Sequence, residues 1–386
     1  MAVIADEFFD VKIGRMGGFG WACKQLARLF TEHPELGVDI VFLSSELRGD
    51  SQHKEAIVHN TKLLLKQDSR LTNFLNIRRE KFDLMLCVDY NPHNRFFLRA
   101  LPRTPVIVWS RDPRTKADYE RLRSLRSPGE PDKEPDGVAG LVIDCTSYGG
   151  VISLSKIVSR PCLVATTCQF LVPKAREVLG LPPQYPVHQL PNIIDVAPSP
   201  ITKSIRPRFG FLGRLDPVKR PWLFFQLAQK FPQAEFVAMG QPHFQQAQDW
   251  TPKDLPPNLK LTGHIDGSEK SEMLSSCWAL INTSIHEGLA VSLLEALHCE
   301  TPLIGSVDPE GIVSRFGKFV GSFGGSGSDS LPAFEAAVAD VLENRQTYVD
   351  RARAGRDWVA VTHSKLTFLK AFDDLCQMAG VRRQEC

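Results

Sequence analysis

Two cations stand five residues apart in the segment GRLDPVKR at 213–220. The planar guanidinium of Arg214 and the point charge of Lys219 can converge on one anionic group, because both follow the same short apolar run. A diphosphate would suit this pair of side chains. A pair of surface cations beside a turn is the competing interpretation, and the motif alone does not decide between the two.

A carboxylate and a glycine form a second polar motif in the segment SIHEGLAVSLLEAL at 284–297. Glu287 and Gly288 lie at the end of a predicted strand and before a predicted helix, whose free N–H groups and dipole favour an anion. This order would place an acceptor for sugar hydroxyls beside a phosphate site. Two structural interpretations compete: Ser292 and Glu295 fit a Ser-x-x-Glu capping box, and Glu287 could simply favour the helix N-terminus by its charge.

Glycines also precede a predicted helix near the N-terminus, in GRMGGFGW at 14–21. Glycines allow a close approach of backbone to an anion, and a helix start favours negative charge. The dinucleotide-binding fingerprint is absent, so this turn by itself is weak evidence for an anion site.

Short apolar runs alternate with helix-length segments along the chain, which indicates βα units and a parallel sheet. The predicted strands are 82–88, 106–109, 141–145 and 162–166 in the first half, and 208–213, 235–240, 259–263, 278–282 and 302–306 in the second. Helices are predicted over 21–30, 54–76 and 222–230. Open α/β sheets bind ligands in the loops after their strands, which is where both polar motifs of the second half lie.

The length of 386 residues predicts two domains, each able to bury its own core. The stretch 196–207 is rich in Pro and Ser and is the best boundary between them. We predict an α/β protein with an N-terminal domain over 1–196, a linker over 197–207 and a second domain over 208–362. A ligand cleft is expected between the two domains, at the carboxyl ends of their sheets.

The charges nearly balance, with 46 Lys+Arg against 44 Asp+Glu, which gives no general drive toward nucleic acid. Locally, residues 95–126 carry nine Lys and Arg residues against three Asp and Glu residues. A solvated face is the more ordinary interpretation of this segment. A surface for anionic lipid or for a phosphorylated acceptor is the alternative.

The nine cysteines form no Cys-x-x-Cys pair and lie in mostly apolar surroundings, as is typical of a reduced cytosolic protein. The first residues, MAVIADEFFD, carry acids where a secretory signal needs a basic and then an apolar region, and no apolar run approaches the roughly 18 residues of a membrane span. We therefore expect a cytoplasmic protein, with peripheral contact at the inner membrane face as a further hypothesis.

Taken together, these segments resemble the nucleotide-binding domain of retaining GT-B glycosyltransferases of family 4. The resemblance rests on an ordered set: Gly213, Arg214 and Lys219, then NLKLTGHI at 258–265, two glutamates separated by seven residues, and ALHCETPLIG at 296–305. It is strong over about 208–314 and weaker but compatible elsewhere. It implies the GT-B fold, with two Rossmann-like domains facing each other across a cleft, and a C-terminal helix within 363–386 that packs back toward the N-terminal domain.

The resemblance also implies a role for each matched position. Arg214 and Lys219 would bind the donor diphosphate and stabilise its charge as the glycosidic bond breaks, and Glu287 would complete the catalytic set near the donor sugar. Glu295 would hold the ribose hydroxyls. The remaining donor-binding positions are Gly17, Gly18 and Gly213 around the diphosphate, His264 and Ile265 beside the base, and Gly288, Leu289, Ala290, Val291 and Ser292, whose backbone N–H groups would complete the phosphate site.

Four positions depart from the family pattern. Arg111 stands where a histidine is common after an N-domain strand, and an arginine cannot transfer a proton at neutral pH. A charge-stabilising or acceptor-binding role is therefore more plausible for Arg111 than acid/base chemistry. Glu300, Met239 and Ile193 each stand where a glycine is usual, which could alter donor choice or activity.

The function that the resemblance implies is transfer of a hexose, with retention, from a nucleotide sugar such as a UDP- or GDP-hexose. The acceptor would be an unidentified sugar, lipid or small molecule, and neither a metal, another cofactor nor nucleic acid is expected. The acceptor would attack on the face from which the diphosphate leaves. Two alternatives remain: a degenerate homologue that binds nucleotide sugar or a partner without transfer, and a nucleotide-sugar epimerase.

Overall fold

The computed structural model describes residues 1–5, 7, 17–48, 54–90, 94–128, 150–195, 200–241 and 255–381. The chain divides into two compact units. The first unit comprises Met1–Thr115, Asp144–Ile193 and Lys365–Cys386, and the second comprises Lys116–Ile143 and Ile194–Ser364. Predicted strand 141–145 lies outside the described residues, as do residues 14–16 of the N-terminal glycine motif.

Strands and helices alternate along most of the chain. The strands are β1 (Ala2–Ala5), β2 (Val41–Arg48), β3 (Glu55–Val58), β4 (Thr61–Lys66), β5 (Met85–Val88), β6 (Val106–Ser110), β7 (Cys162–Thr166), β8 (Val187–Gln189), β9 (Arg208–Leu212), β10 (Glu235–Met239), β11 (Leu259–Gly263), β12 (Ala279–Asn282), β13 (Leu303–Gly305) and β14 (Gly317–Phe319). The helices are α1 (Gly18–Glu32), α2 (Arg70–Arg79), α3 (Arg95–Ala100), α4 (Lys116–Arg123), α5 (Gly150–Ile157), α6 (Val172–Leu179), α7 (Pro221–Lys230), α8 (Gly267–Ser276), α9 (Val291–His298), α10 (Ile312–Phe316), α11 (Leu331–Glu343), α12 (Arg345–Thr362) and α13 (Lys365–Met378).

The first unit is built on an eight-stranded sheet in the order β3-β4-β2-β1-β5-β6-β7-β8. Its strand pairs are parallel except for the hairpin β3–β4 at one edge. Strands β1, β5 and β6 are buried along their whole length, because helices cover both faces of a parallel sheet. This burial explains why their sequences are continuous apolar runs.

The C-terminal helix α13 belongs to the core of the first unit. Phe368 and Phe372 are fully buried and share one apolar cluster with residues of β1, β5 and α1. The ring of Phe368 lies 5.8 Å from that of Trp109, whose indole N–H donates a 2.7 Å hydrogen bond to the carbonyl of Leu190. The chain therefore returns to its first unit after completing the second.

The predicted helix over 54–76 is wrong in its first half. Residues 55–66 form the hairpin β3–β4, and helix α2 begins only at Arg70, where the Ser69 hydroxyl accepts a bond from the Thr72 N–H. The two turn residues His59 and Asn60 both have positive φ angles, 48° and 59°, as tight hairpin turns require. The charged residues Glu55, Lys62 and Lys66 are seven and four positions apart, which also fits one face of a helix.

The second unit is built on a six-stranded, all-parallel sheet in the order β11-β10-β9-β12-β13-β14. Numbered within the unit, this order is 3-2-1-4-5-6, which is the order of a Rossmann fold. The strand order reverses between β9 and β12, which are hydrogen-bonded neighbours. The loops that follow these two strands carry the segments 213–220 and 283–290, so the two polar motifs of the sequence lie at the topological switch point.

The division into units differs from the predicted boundaries in two places. Helix α4 groups with the second unit, where Asp118 lies 3.4 Å from Nδ1 of His286 and the Ser124 hydroxyl accepts the Gly325 N–H at 3.1 Å. The second unit also begins at Ile194, ahead of the predicted linker, and described residues 200–207 pack onto it. Helix α4 thus groups with the second unit although its residues fall within the predicted stretch 1–196, because its side-chain contacts are not encoded in a local pattern.

Glu300 shows why the family pattern has a glycine at this position. Its φ angle is 51°, in the left-handed region that glycine adopts without strain. The carboxylate lies 2.7 Å from Arg356 and 3.7 Å from Arg353, both on α12. These ion pairs hold the strained residue, and they give the substitution a structural role.

Candidate functional site

The loops after β9 and β12 are bound to each other by hydrogen bonds. The Thr283 hydroxyl donates to the carbonyls of Lys219 and Arg220, at 2.6 and 3.1 Å, and the Ile285 N–H donates to the carbonyl of Val218 at 3.0 Å. A short 3-10 helix over Pro217–Lys219 fixes the backbone of the first loop. The structure thereby brings three predicted site residues, Arg214, Lys219 and Glu287, onto adjacent loops.

Lys219 and Glu287 form an ion pair of 2.6 Å between Nζ and Oε1, with the side chains only 18% and 8% exposed. The same carboxylate oxygen accepts bonds from the Ser284 hydroxyl at 2.6 Å and from the Asn282 amide at 3.2 Å. Burial alone would raise the pKa of Glu287, but the charge of Lys219 and the three hydrogen bonds outweigh it and lower the pKa. Glu287 is therefore ionised at neutral pH and held in one orientation.

Arg214 is oriented by Asp216, a residue that the sequence analysis did not single out. The Arg214 Nε atom lies 3.1 Å from Asp216 Oδ2, and the Arg214 side chain is 34% exposed. Asp216 Oδ1 accepts the backbone N–H of Lys219 at 3.2 Å and so caps the 3-10 helix. One carboxylate thus fixes the guanidinium and the loop that carries the second cation.

Arg220 is a further residue that the sequence analysis missed, and it is fully buried. Its guanidinium donates to the carbonyls of Thr283 at 2.7 Å, Ser284 at 3.1 Å and Phe323 at 3.0 Å, and to the Ser306 hydroxyl at 3.0 Å. Burial, with the like charge of Arg121, lowers the pKa of Arg220 to about 10, so it stays charged. Arg220 ties three loops together behind the Lys219–Glu287 pair.

The triplet Asn282-Thr283-Ser284 provides two hydrogen-bond donors to Glu287. Asn282 accepts the Ser284 N–H at 3.1 Å and donates to Glu287, while the Ser284 hydroxyl donates to the same oxygen. All three residues are buried. Two polar residues directly after an apolar strand and before a glutamate are the sequence signal that could have identified this support.

Gly213 and Gly240 make the close approach that the first loop needs. A Cβ atom on Gly240 would lie 1.9 Å from the carbonyl oxygen of Gly213, and Gly240 has a φ angle of 155°. The Gly213 N–H donates to the carbonyl of Met239 at 3.1 Å. A side chain at 240 would push the start of the Arg214 loop out of place.

The N-terminus of α9 follows Glu287 and contains the five predicted backbone donors Gly288, Leu289, Ala290, Val291 and Ser292. The N-cap is Ala290, which has no side chain able to accept from the first-turn N–H groups. The predicted capping box is therefore wrong. This helix start is suited to an external anion, because its dipole and first N–H groups have no capping side chain.

Glu295 makes an ion pair with a lysine instead of capping its helix. Its Oε1 atom lies 2.8 Å from Nζ of Lys270 on α8, and the side chains are 5% and 9% exposed. Lys270 Nζ also lies 3.1 Å from Asp266 Oδ1.

In the loop before α8, His264 is exposed and Ile265 is buried, so these two predicted base-binding positions face different surroundings.

In the first unit, the start of α1 is occupied by a carboxylate of the chain itself. Glu7 Oε2 accepts the N–H groups of Gly17 at 2.9 Å, Phe19 at 3.0 Å and Gly20 at 2.9 Å. A Cβ atom on Gly17 would lie 2.7 Å from Glu7 Oε1, whereas Gly18 faces open space. A phosphate at this helix start would have to displace Glu7, and the role predicted for Gly17 and Gly18 stays a prediction.

Arg111 follows β6 and is 5% exposed, and its guanidinium lies 4.3 Å above the ring of Trp109. Its Nε and Nη1 atoms have no hydrogen-bond partner among the described residues. Burial lowers the pKa of Arg111 to about 10, against the charges of Cys23, Asp89 and Glu7. It remains a cation at neutral pH, and its charge-stabilising role stays a prediction.

Asp89 lies beside Arg111 at the end of the neighbouring strand β5. Its Oδ1 atom accepts the backbone N–H groups of Arg111 at 3.0 Å and Asp112 at 3.4 Å. Burial, with the charge of Asp112, raises the pKa of Asp89 to about 7. Asp89 is thus a carboxyl group that can change its charge near neutral pH.

The Arg-rich segment 95–126 does not form one basic surface. It divides between the two units after Thr115, Arg111 is buried, and Arg114 pairs with Asp112 at 2.8 Å. Arg99, Arg103 and Arg123 are the described arginines of this segment that are exposed. The surplus of positive charge is therefore divided among buried, paired and exposed side chains.

The described residues contain neither a membrane-spanning helix nor a cluster of metal ligands. In that part of the chain, no helix is long and apolar enough to cross a membrane. No group of three or more His, Cys, Asp or Glu side chains within the described ranges is arranged to hold a metal ion. Metal independence stays a prediction.

Comparison with known proteins gives a match over the second unit. Residues 199–358 match the family model described as glycosyl transferases group 1. No curated protein matches the chain. The matched segment contains every candidate residue of the second unit, from Gly213 to Glu295.

Solved structures match nearly the whole chain at low identity. Sucrose-phosphate synthase from Thermosynechococcus elongatus is 13% identical, with 98% of each chain covered and a TM-score of 0.71. Anabaena Alr3699/HepE in complex with UDP-glucose is 14% identical, with 97% and 99% covered and a TM-score of 0.66. The pneumococcal O-GlcNAc transferase GtfA, in complex with UDP and GlcNAc, is 12% identical, with 98% and 99% covered and a TM-score of 0.63. The chain therefore has the GT-B fold, and its second unit matches the glycosyl transferases group 1 model.

Proposed function

We propose that the protein is a retaining, metal-independent glycosyltransferase that moves a hexose from a nucleotide-diphosphate sugar to an acceptor. The observation that carries this proposal is the Lys219–Glu287 ion pair beside Arg214 and the uncapped start of α9, at the switch point of a Rossmann sheet. Cations and helix N–H groups converge there with one fixed carboxylate. Such a set suits a diphosphate that is attached to a sugar.

The cations would act on the leaving group. Negative charge grows on the diphosphate as the glycosidic bond breaks, and fixed positive groups stabilise that charge more in the transition state than in the ground state. Lys219 is held by Glu287 and Arg214 by Asp216, so neither side chain needs to be ordered at the moment of reaction. Glu287 would accept a hydroxyl of the donor sugar.

The hydrogen bonds of Glu287 support retention by same-face attack. A double displacement needs a carboxylate nucleophile directed at the anomeric carbon. Glu287 Oε1 already accepts three hydrogen bonds, one of them from a lysine at 2.6 Å, which makes that oxygen a poor nucleophile. Attack by the acceptor on the face that the diphosphate leaves requires no such group.

A UDP-hexose is the donor that the comparisons favour. Anabaena Alr3699/HepE binds UDP-glucose, and the pneumococcal GtfA binds UDP and GlcNAc. The acceptor is a sugar, a lipid or a small molecule, and a GDP-hexose is the second donor to test.

Peripheral membrane contact is supported by α2, on which Leu71 and Leu75, 68% and 43% exposed, lie on one face with the exposed Arg78. Absence of binding to anionic liposomes at low salt in a flotation assay would exclude this contact.

The test is transfer from UDP-, GDP- and ADP-hexoses to a panel of acceptors, with the anomeric configuration of the product read by NMR. Removing the Lys219 charge should lower kcat/KM by roughly 10²- to 10³-fold, as loss of a group that stabilises developing charge does elsewhere. Lys230→Met is the matched control, because Lys230 is exposed at the end of α7 and lies in the same unit. Unchanged transfer in Lys219→Met would exclude this site, and an inverted product would exclude retention.

A binding protein without transfer activity is the second candidate, because Arg111 replaces the usual histidine. Tight binding of a nucleotide sugar without turnover on any acceptor would favour it. An epimerase would convert the donor sugar without an acceptor, so product analysis with donor alone separates that alternative.

A further inference from the structure

Lys270 is a buried charged side chain that the diphosphate and sugar contacts of the proposed function do not use. It lies on α8 with its side chain 9% exposed, and its ammonium group contacts Glu295 at 2.8 Å and Asp266 at 3.1 Å. Lysine is almost never buried in proteins without a charged partner. The group therefore forms a cluster of two carboxylates and one ammonium between α8 and α9.

Stability alone is a weak reason for such a cluster. Removing charges from water is costly, and replacing a buried ion pair by apolar side chains of similar volume is often neutral or stabilising. The buried face of α8 is mixed, with Leu274 between Ser271 and Ser275, and Leu294 is fully buried on α9. The charged pair is better explained by what it does for Glu295.

Lys270 fixes one oxygen of the Glu295 carboxylate. Burial would lower the pKa of Lys270, but the charges of Glu295 and Asp266 outweigh it and raise the pKa, so the lysine stays charged at neutral pH. A carboxylate offers about four lone-pair positions on two oxygens, so one ammonium bond leaves acceptor capacity for a ligand. A carboxylate held from one side can present its other oxygen in a constant direction.

We propose that Lys270 is a positioning residue, which holds Glu295 so that its carboxylate accepts the ribose hydroxyls of the donor nucleotide. This inference rests on the proposed function, because it requires a nucleotide at Glu295. It adds that the preference for a ribonucleotide over a deoxyribonucleotide depends on a side chain of α8, 25 residues before the glutamate. Lys270 itself does not need to contact the ligand.

The experiment compares the affinities of UDP, GDP and ADP with those of their 2′,3′-dideoxy analogues, by calorimetry on the full chain. A hydrogen bond to a charged group contributes about 1.5 to 3 kcal/mol, so the wild type should prefer the ribonucleotide that it binds by roughly ten- to hundredfold. Lys270→Met should bring the two affinities to within about threefold, mainly by weakening the ribonucleotide. The affinity for the dideoxy analogue should change little.

Two matched variants define the specificity of the effect. Lys270→Arg keeps a cation and should restore most of the preference. Glu272→Gln removes a charge from an exposed position of the same helix and should leave the preference unchanged. A purely structural role for Lys270 would lower the melting temperature but weaken both ligands equally.

The outcomes separate this inference from the proposed function. If the wild type binds none of the diphosphates, the proposed nucleotide site is contradicted, and the role inferred for Lys270 is contradicted together with it. If the wild type prefers the ribonucleotide and Glu295→Gln loses the preference while Lys270→Met keeps it, the inference alone is overturned. Should Lys270→Met fail to fold, Lys270→Gln stays polar but is too short to reach Glu295, and retained preference in that variant overturns the inference equally.

Discussion

The two units treat their buried charges differently. In the second unit, each charged group of the candidate site has a partner: Lys219 with Glu287, Arg214 with Asp216 and Lys270 with Glu295. In the first unit, Arg111 is buried with two nitrogen atoms unsatisfied among the described residues, and Asp89 has a raised pKa of about 7. The second unit is organised before any ligand binds, whereas the first retains charges that a ligand could compensate.

The largest expected effect comes from breaking the best-paired charge of the second unit. Lys219→Met leaves Glu287 buried without its cation, and removing one member of a buried pair costs about 3 to 5 kcal/mol of unfolding free energy. Urea denaturation would measure this loss. Replacing Glu287 by Gln in the same chain should recover most of the stability but none of the transfer activity.

The recovery in the double variant is the decisive part of that prediction. A double variant as unstable as Lys219→Met would show that the lysine stabilises the loops by other contacts than the ion pair. Lys230→Met, at an exposed position, should cost less than about 0.5 kcal/mol and serves as the control.

A smaller effect is expected at Arg111, because two contributions oppose each other. Arg111→Met removes a buried charge together with two unsatisfied nitrogen atoms, and it loses a stacking contact with Trp109 that is worth about 1 kcal/mol. These changes oppose each other, so the free energy of unfolding should stay within about 1 kcal/mol of the wild type. A loss above about 3 kcal/mol would mean that Arg111 is as well paired as Lys219, and the contrast between the units would disappear.

The last expected effect is a pH dependence at Asp89. Its pKa is raised from 3.8 to about 7, so the folded state binds a proton more tightly than the unfolded state between these values. Stability contributed by the protonated form is present below pH 3.8 and is lost as the pH rises toward 7.

Asp89→Asn removes this titration while keeping an oxygen for the N–H groups of Arg111 and Asp112. The variant should gain stability relative to the wild type between pH 5 and pH 8, as followed by melting temperature. A difference between the two proteins that does not change with pH would contradict the raised pKa. Asp83→Asn, at an exposed position of the same unit, is the control.

The sequence predicted the features that short segments encode. The strands around the site are apolar runs, and the cations after β9 and the glutamates after β12 keep a fixed spacing. Residue types and their order along the chain were therefore enough to predict these features. The sequence did not predict the Lys219–Glu287 contact, which joins positions 68 residues apart, or the Lys270–Glu295 contact, which joins two helices. Both contacts depend on which side chains meet in the folded chain.

The wrong predictions have local patterns that fit two structures. Residues 54–66 were predicted as part of a helix, because their charged positions 55, 62 and 66 have helical spacing although the segment forms an edge hairpin. Ser292 and Glu295 have capping-box spacing, but helix α9 already begins at Val291, so Ser292 lies inside the helix and is not its N-cap. Glu295 instead forms an ion pair with the buried Lys270. Arg220 and Glu7 were overlooked because most of their hydrogen-bond partners are backbone groups, which no residue type reveals.

The path of the chain between the units has a consequence for how the protein is made. It passes from one unit to the other four times, after Thr115, Ile143, Ile193 and Ser364. During synthesis, α4 leaves the ribosome well before the sheet that it joins, and the first unit is complete only after α13, which follows the whole second unit, has been made. Neither unit can therefore fold to completion as a continuous stretch of nascent chain, and their folding must overlap in time.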